Sequence, residues 1–207
     1  LIEASGPAAS RLTGGPFQSV EHDRQAGTCV IRTGRDAAPP VKATPEEIRE
    51  ALEETVHYPV RDPKVRELAR TLAGEGLSPR EKVKNLVAYM HKNMKKEFTI
   101  SLFSVVEILE RNSGDCSEFA MLFTTLARAA GVPAREASGL MYIGNLIRSF
   151  GGHAWNEVAI DGVWTPVDAS WGQMEIDGAR VRLGSGPEGL SQMMGTLGGL
   201  QFKLREV

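Results

Sequence analysis

The chain has 207 residues, 42% of them hydrophobic and 24% charged, a balance typical of a globular protein with a substantial core. Its net charge is −2, and the sequence shows neither a basic stripe for nucleic acid nor a polybasic segment for a membrane surface. No apolar run approaches the roughly 20 residues needed to span a bilayer. We therefore expect no nucleic-acid partner and no membrane contact from this segment.

The first 43 residues are rich in Gly, Pro, Ala and Ser and hold one predicted strand, over residues 28–32. We interpret residues 1–43 as an arm or the remnant of a preceding domain, and residues 44–207 as the main domain. The sequence begins without Met and without a charged-then-apolar leader, so we expect a removed targeting segment or a piece of a longer protein. No compartment is predicted. Two cysteines are too few for a disulfide scaffold, and Cys29 is interpreted as a structural thiol in the strand.

Capping patterns predict the helices that follow. Thr44, Ser78 and Ser104 each stand three residues before a glutamate, the arrangement of a capping box. They predict helices that run from Thr44 to Pro59, from Ser78 to about residue 94, and from Ser104 to residue 111, while Asp62 begins another short helix to residue 72. The helix after Ser78 carries one apolar stripe, which we assign to the core: Val83, Leu86, Val87, Met90 and Met94.

The most apolar helix begins at Cys116 and should be the buried central helix of the domain. Asp115 or Ser113 can cap its start and Gly131 its end, which places Cys116 in the first turn. Unpaired backbone N–H groups and the positive end of the helix dipole there favour a thiolate. Gly114 would leave room for a substrate backbone. The alternative is that Cys116 is a small buried hydrophobic residue.

Strand patterns replace helical ones after residue 130. Residues 134–142, 153–160 and 163–168 predict an antiparallel sheet, with a two-residue hairpin turn at Asp161 and Gly162. We expect a loop over the site at 145–152, a strand at 179–183, a short helix at 190–197 and an edge strand at 201–205.

The predicted hairpin brings His153 and Asp168 to the same open end. If Ile160 pairs with Val163, His153 lies two positions away from facing Asp168, a gap that a bulge or a diagonal contact can close. A carboxylate there would orient the imidazole and stabilise its protonated form, while the imidazole takes the proton of Cys116. The residues thus suggest a Cys-His-Asp triad.

These blocks closely resemble the transglutaminase-like superfamily, whose core is papain-like: Gly114 to Cys116, the segment 126–135, Gly139, His153 to Trp155, and Trp164 to Asp168. The resemblance covers residues 78–172. It implies an α+β papain-like fold, with a helical N-terminal part and a central nucleophile helix packed on an antiparallel β-sheet. It also implies Cys116 as nucleophile, His153 as general base and Asp168 as the orienting acid.

Two departures from the family pattern narrow this expectation. Cross-linking members carry a tryptophan upstream of the cysteine that helps to stabilise the oxyanion, whereas all three tryptophans here follow Cys116. The second oxyanion donor is thus unassigned, and the backbone N–H of Cys116 is the natural first one. The sequence has no calcium-loop spacing and no Cys-x-x-Cys pair, so neither a metal nor another cofactor is predicted.

Other candidate residues have structural alternatives. Trp155, Tyr142 and Trp171 are candidates for substrate binding, although aromatic residues in strands are more often core residues. Asn156 and Glu157 are interpreted as strand-surface residues, Arg135 as an ion-pair partner, and His91 as an isolated surface or cap residue.

The sequence predicts a cofactor-free thiol enzyme that acts on a peptide or protein amide through a thioester, by hydrolysis more readily than by cross-linking. A non-catalytic binding or scaffolding module of the same fold and an acyltransferase to a small amine are the alternatives.

Overall fold

A computed structural model describes residues 1–98, 103–144 and 149–205 of the chain. Contacts between Cα atoms divide the chain into two compact units. The first unit comprises residues 1–41, 137–153 and 176–207, and the second comprises residues 42–136 and 154–175. Among the described residues, no helix combines the length and the apolar character that a bilayer crossing requires.

The described elements give the α+β architecture that the sequence predicts. In chain order they are β1 (Ile2–Ser5), β2 (Gln18–Asp23), β3 (Thr28–Thr33), α1 (Pro45–Glu50), α2 (Pro63–Ala73), α3 (Pro79–Asn93), β4 (Lys95–Lys96), α4 (Val105–Arg111), β5 (Ser113–Gly114), α5 (Cys116–Ala129), β6 (Ala134–Tyr142), β7 (Phe150–Ile160), β8 (Val163–Val167), β9 (Arg180–Ser185), α6 (Gly189–Leu197) and β10 (Gln201–Leu204).

The first unit contains an antiparallel sheet with the strand order β10-β1-β3-β2. The predicted strand at 28–32 is confirmed as β3, but residues 1–43 also form β1 and β2. β10 is an edge strand, as predicted. Cys29 is completely buried in β3, and neither cysteine is in a disulfide. The core of this unit consists of Ile2, Ala4, Ala9, Leu12, Cys29, Ile31, Leu140 and Val181. That residues 1–43 are an arm or a domain remnant stays a prediction.

The second unit contains helices α1 to α5, and the three predicted capping boxes are all present. At α1, for example, Thr44 Oγ1 accepts from the Glu47 N–H, and Glu47 Oε2 accepts from the Thr44 N–H. All five residues of the apolar stripe on and after α3 are buried. They share one core with Phe119, Phe123 and Leu126 of α5, so α5 is the buried central helix that the sequence predicts.

Helix α1 is shorter than predicted, because it ends at Glu50 and not near Pro59. The carbonyl groups that would continue the helix are used by distant partners. Ala51 O accepts from the N–H of Ala134, and Glu53 O accepts from the guanidinium of Arg128. These tertiary hydrogen bonds replace the i to i+4 bonds of a longer helix.

The hairpin is confirmed. Asp161 and Gly162 both have positive φ angles, 52° and 75°, as a type I′ turn requires. β7 and β8 pair antiparallel from Ile160 opposite Val163 to Asn156 opposite Val167, and the strand order of this sheet is β8-β7-β6-β9.

Strand β7 begins three residues earlier than predicted, at Phe150. The prediction of a loop over 145–152 is therefore wrong for residues 150–152, and residues 145–148 lie outside the described residues. The cause lies in the first unit, where the Phe150 ring has its centroid 5.4 Å from that of Tyr142 and 5.9 Å from that of Phe202. This aromatic contact holds Phe150 and the two following glycines in the strand although glycine is a loop signal.

A polar cluster joins the end of α5 to the segment after α1. Arg128 donates to the carbonyl groups of Ala134 and Glu53, and its guanidinium lies 4.3 Å from the centroid of the Tyr58 ring. The Tyr58 hydroxyl donates to Glu136 Oε1 at 2.9 Å. Burial raises the pKa of Glu136 to about 6, against the opposing effects of the Tyr58 hydrogen bond and the Arg128 charge. Folding therefore disfavours the ionised form of this carboxyl group.

Replacing Glu136 by Gln tests this effect, because the amide keeps an acceptor for Tyr58. As pH rises, the Glu136 carboxyl ionises in the unfolded chain near its ordinary pKa of 4.5 but in the folded protein only near pH 6. The wild type therefore loses stability relative to Glu136→Gln across this window, and the difference becomes constant above it. When both proteins are melted between about pH 4 and about pH 8, we expect the melting temperature of the wild type to fall relative to that of Glu136→Gln as the pH rises.

Glu50→Gln, at an exposed position of α1, is the matched control and should give no such trend. A wild type that gained stability relative to Glu136→Gln as the pH rose would contradict the assignment.

Candidate functional site

Cys116 is the first residue of α5, and Asp115 is the residue that caps this helix. The Asp115 carboxylate accepts from the N–H groups of Ser117 and Glu118, and it also accepts from the Ser117 hydroxyl at 2.6 Å. In the described part of the chain, the Cys116 N–H has no hydrogen-bond partner. The sequence led us to expect several unpaired N–H groups near the thiol. Of these groups, only that of Cys116 is unpaired among the described residues, because the Asp115 carboxylate accepts from the N–H groups of Ser117 and Glu118.

Glu118 is the buried partner of Asp115 in the capping box of α5. Its side chain is 5% exposed, and its Oε2 accepts from the Asp115 N–H at 2.8 Å. Burial raises the pKa of Glu118, and the adjacent Asp115 carboxylate adds to the rise, against the hydrogen bond from the Asp115 backbone. Cys116 therefore has an acidic residue on each side in the sequence, Asp115 and Glu118. Both lie at the start of α5, where the helix dipole is positive.

Gly114 does not leave room for a substrate backbone, contrary to the sequence expectation. A Cβ atom at this position would overlap the Cβ of Glu118 and lie 2.9 Å from its Cγ. Glycine is needed because the capping side chain of Glu118 fills this space. The backbone of Gly114 is in turn held by β4 and the residue after it: Lys96 lies opposite Gly114, and the Glu97 N–H donates to Gly114 O at 2.9 Å.

Asn156 of β7 is completely buried against α5, so its assignment to the strand surface is wrong. Its amide nitrogen donates to Ala120 O and to Thr124 Oγ1, each at 2.9 Å. The two acceptors belong to successive turns of α5. Asn156 therefore fixes the position of strand β7 on the helix that begins with Cys116.

Glu157 is also completely buried, which corrects its surface assignment as well. It accepts from Arg135 Nε at 2.8 Å, and Arg135 also pairs with Glu47 at 3.0 Å, as the ion-pair interpretation of Arg135 requires. The Arg135 guanidinium lies 3.9 Å from the centroid of the Trp164 ring. This network compensates the burial of the Glu157 charge and ties α1 to the sheet.

Asp168 follows β8 directly and is 1% exposed. Its Oδ1 accepts from the Ser170 hydroxyl at 2.7 Å and from the Trp171 N–H at 3.0 Å. His153 lies on β7 and is 7% exposed. That Cys116, His153 and Asp168 form one triad stays a prediction.

The three aromatic candidates differ in exposure. Trp155 is 2% exposed on β7, whereas Trp171 is 52% exposed, with Lys96 Nζ 5.3 Å from its ring centroid. Tyr142 is half-buried beside Phe150 in the first unit. The exposure of Trp171 gives it the most free surface of the three, and their roles in substrate binding stay predictions.

Two described polar residues near the site were not recognised from the sequence: Asn156, whose partners lie on α5, and Ser170, whose partner is two residues away. Both residues are buried. Asn156 donates to Ala120 O in the helix that begins with Cys116, and Ser170 donates to the Asp168 carboxylate. The sequence holds a signal for Ser170 alone, because a hydroxyl two residues after an aspartate can donate a hydrogen bond to its carboxylate.

Comparison with known families agrees with this architecture. Residues 66–169 match the family model of the transglutaminase-like superfamily, which is half of the chain. The chain belongs to the transglutaminase-like superfamily. Human kyphoscoliosis peptidase is 34% identical over 80 residues, and the match covers 36% of this chain and 12% of that protein. The mouse protein of the same name matches equally.

Solved structures share the transglutaminase-like fold. A Cytophaga hutchinsonii protein described as a candidate cysteine protease gives a TM-score of 0.61 at 16% identity, over 99% of this chain and 80% of that chain. The periplasmic domain of TgpA from Pseudomonas aeruginosa gives a TM-score of 0.54 at 18% identity, over 75% of this chain and 63% of that one. At these identities the likeness establishes the fold alone.

The contact between Gly114 and Glu118 generates a stability prediction. Gly114→Ala should displace the Glu118 side chain and break its hydrogen bond to the Asp115 N–H. We expect the free energy of unfolding to fall by about 1–3 kcal/mol, the usual range for overpacking, as measured by urea denaturation.

A double-mutant cycle identifies the cause. If the clash with Glu118 is responsible, Gly114→Ala should cost much less in a Glu118→Ala background. Gly195→Ala is the control, because a Cβ at that helical position has no neighbour within 4 Å. An equal loss in both backgrounds would rule out the clash.

Proposed function

We propose that this transglutaminase-like chain is a thiol enzyme that cleaves a peptide or protein amide through a thioester, with Cys116, His153 and Asp168 as its catalytic triad. The position of Cys116 is the observation that carries the proposal. It is the first residue of a buried helix, it is partly exposed, and its own N–H is without a partner in the described residues. An unpaired N–H beside the sulfur is suited to stabilise an oxyanion on the carbonyl that the sulfur attacks.

The register of the hairpin supports the pairing of His153 with Asp168. The ladder keeps ideal register as far as Asn156 opposite Val167, so its continuation by one residue would set Trp155 opposite Asp168. His153 stands two residues before Trp155 on the same strand, and residues two apart on a strand share a face. A diagonal contact of the kind expected from the sequence fits this register.

The proposed chemistry uses each group in turn. His153 accepts the Cys116 proton, and the sulfur attacks the amide carbonyl to form a tetrahedral oxyanion. When the carbon–nitrogen bond breaks, the imidazolium gives its proton to the leaving amine and a thioester remains. Water then attacks the thioester, His153 takes a proton from it, and the acid product leaves as Cys116 is restored. Asp168 orients the imidazole and stabilises its protonated form.

We favour water over an amine as the acceptor. The upstream tryptophan that the resemblance associates with cross-linking is absent from the sequence. The curated relatives carry the name peptidase, although the match covers 12% of their length. The Cytophaga hutchinsonii structure is described as a candidate cysteine protease. These names support a peptidase more than a cross-linking enzyme.

Selective alkylation tests the activated thiol. At about pH 6 a free thiol of pKa about 8.5 is almost entirely protonated and reacts slowly with iodoacetamide. We expect Cys116 to react roughly tenfold or more faster than glutathione under the same conditions, as measured by intact mass and peptide mapping. Cys29 is the internal control, since it is completely buried and burial raises the pKa of its thiol.

Cys116→Ser should abolish the fast labelling, and Cys29→Ser should leave it unchanged. A Cys116 that reacts no faster than glutathione would show that the thiol is not activated, and the proposal would fail.

An activated ester tests the acceptor without a known substrate. p-Nitrophenyl acetate should acetylate Cys116, with release of nitrophenol and a gain in mass of one acetyl group. We expect water to hydrolyse this acetyl-enzyme at a rate that an added primary amine does not change. His153→Ala should form the adduct more slowly, because the thiol has lost its base.

Rapid transfer of the acetyl group to the amine would favour the cross-linking or acyltransferase alternative. A Cys116 that is not acetylated at all would favour the non-catalytic module.

A further inference from the structure

The chain after β8 forms a closed loop around the Asp168 carboxylate. The Asp168 N–H donates to Gln173 O, and the Gln173 N–H donates to Asp168 O, both at 2.8 Å. Between them, Gly172 has a φ of +68°, a conformation that favours glycine. These bonds fix both ends of the segment from Asp168 to Gln173.

Within this loop, two donors converge on one carboxylate oxygen. Asp168 Oδ1 accepts from the Ser170 hydroxyl at 2.7 Å and from the Trp171 N–H at 3.0 Å. Asp168 is 1% exposed and Ser170 is 6% exposed, so water does not compete with these bonds. Hydrogen bonds to a buried carboxylate are short and strong, and they hold it in one rotamer.

Helix α3 anchors the loop from outside. His91 Nδ1 lies 3.1 Å from Ser170 O, and because a carbonyl oxygen only accepts, Nδ1 is the donor. A Cβ atom at Gly172 would lie 2.8 Å from Cγ of the His91 ring, so the ring is packed closely against the loop. His91 is an exposed residue in the last turn of α3, in agreement with its interpretation as a surface residue, and its contact keeps the backbone of Ser170 in place.

We propose that Ser170 is a positioning residue for the reaction: its hydroxyl, with the Trp171 N–H, holds Oδ1 of Asp168 so that Oδ2 is directed to the His153 imidazole. This inference rests on the proposed function. In this role Ser170 acts through the Asp168 carboxylate, to which its hydroxyl donates. Without the Ser170 hydroxyl, Oδ1 loses one of the two donors that hold it within this loop, so the carboxylate is held less firmly for the imidazolium.

The expected signature is a change in the pH dependence of Cys116 alkylation. An ordinary thiol is almost entirely protonated at about pH 6 and mostly ionised at about pH 10, so help from an imidazolium matters at the lower pH alone. Ser170→Ala should therefore slow alkylation by iodoacetamide roughly tenfold at the lower pH and leave the rate at the higher pH unchanged. Ser170→Thr keeps the hydroxyl and should restore the wild-type ratio of the two rates.

Asp168→Asn identifies the route of the effect. If Ser170 acts through Asp168, Ser170→Ala should cause no further slowing in the Asp168→Asn background. Ser138→Ala, which removes a buried hydroxyl from β6, is the matched control and should leave the ratio of rates unchanged. Melting curves of each variant separate a change in rate from a loss of fold.

The possible outcomes separate the two proposals. If wild-type Cys116 is not activated at about pH 6, the proposed function itself fails. If wild type is activated and Asp168→Asn slows it, but Ser170→Ala keeps the wild-type ratio, only the role of Ser170 is overturned. Equal slowing by Ser170→Ala in both backgrounds would also overturn it, because the effect would then bypass Asp168.

Discussion

One buried amide sets the geometry on which the candidate site depends. Asn156 donates to Ala120 O and Thr124 Oγ1, two acceptors on successive turns of α5. A slip of the strand by one residue would turn this side chain to the other face and leave buried polar atoms unpaired, at a cost of about 1–3 kcal/mol for each. The part of β7 around Asn156 therefore has one favoured position against α5.

The features that could be predicted from the sequence are those whose partners lie a few residues apart. Thr44 and Glu47 satisfy each other across three residues, and so do the capping pairs that begin α3 and α4. Asp161 and Gly162 tolerate positive φ angles, and this property alone fixes the hairpin and its register. For these elements the local hydrogen bonds and the tertiary structure agree, so the local pattern is sufficient.

The features that could not be predicted depend on partners far along the chain. α1 ends at Glu50 because Ala134 takes the next carbonyl, more than 80 residues away. Asn156 and Glu157 have polar side chains typical of a surface, and only the structure brings them α5 and Arg135 as partners. The strands of residues 1–43 include β1, which lies between β3 and the distant β10. The composition of residues 1–43 does not predict these strand pairings.

The start of α5 also shows why the position of a cysteine is not a sufficient cause of reactivity. The helix dipole favours an anion at Cys116, but Asp115 already places a carboxylate there and uses the N–H groups of Ser117 and Glu118. The N–H groups at the start of the helix are thus used mainly by the Asp115 side chain and not by the sulfur. In the proposed mechanism a thiolate at Cys116 consequently depends on a positive imidazolium nearby, and the precision with which Asp168 holds that imidazolium becomes part of the chemistry of the sulfur.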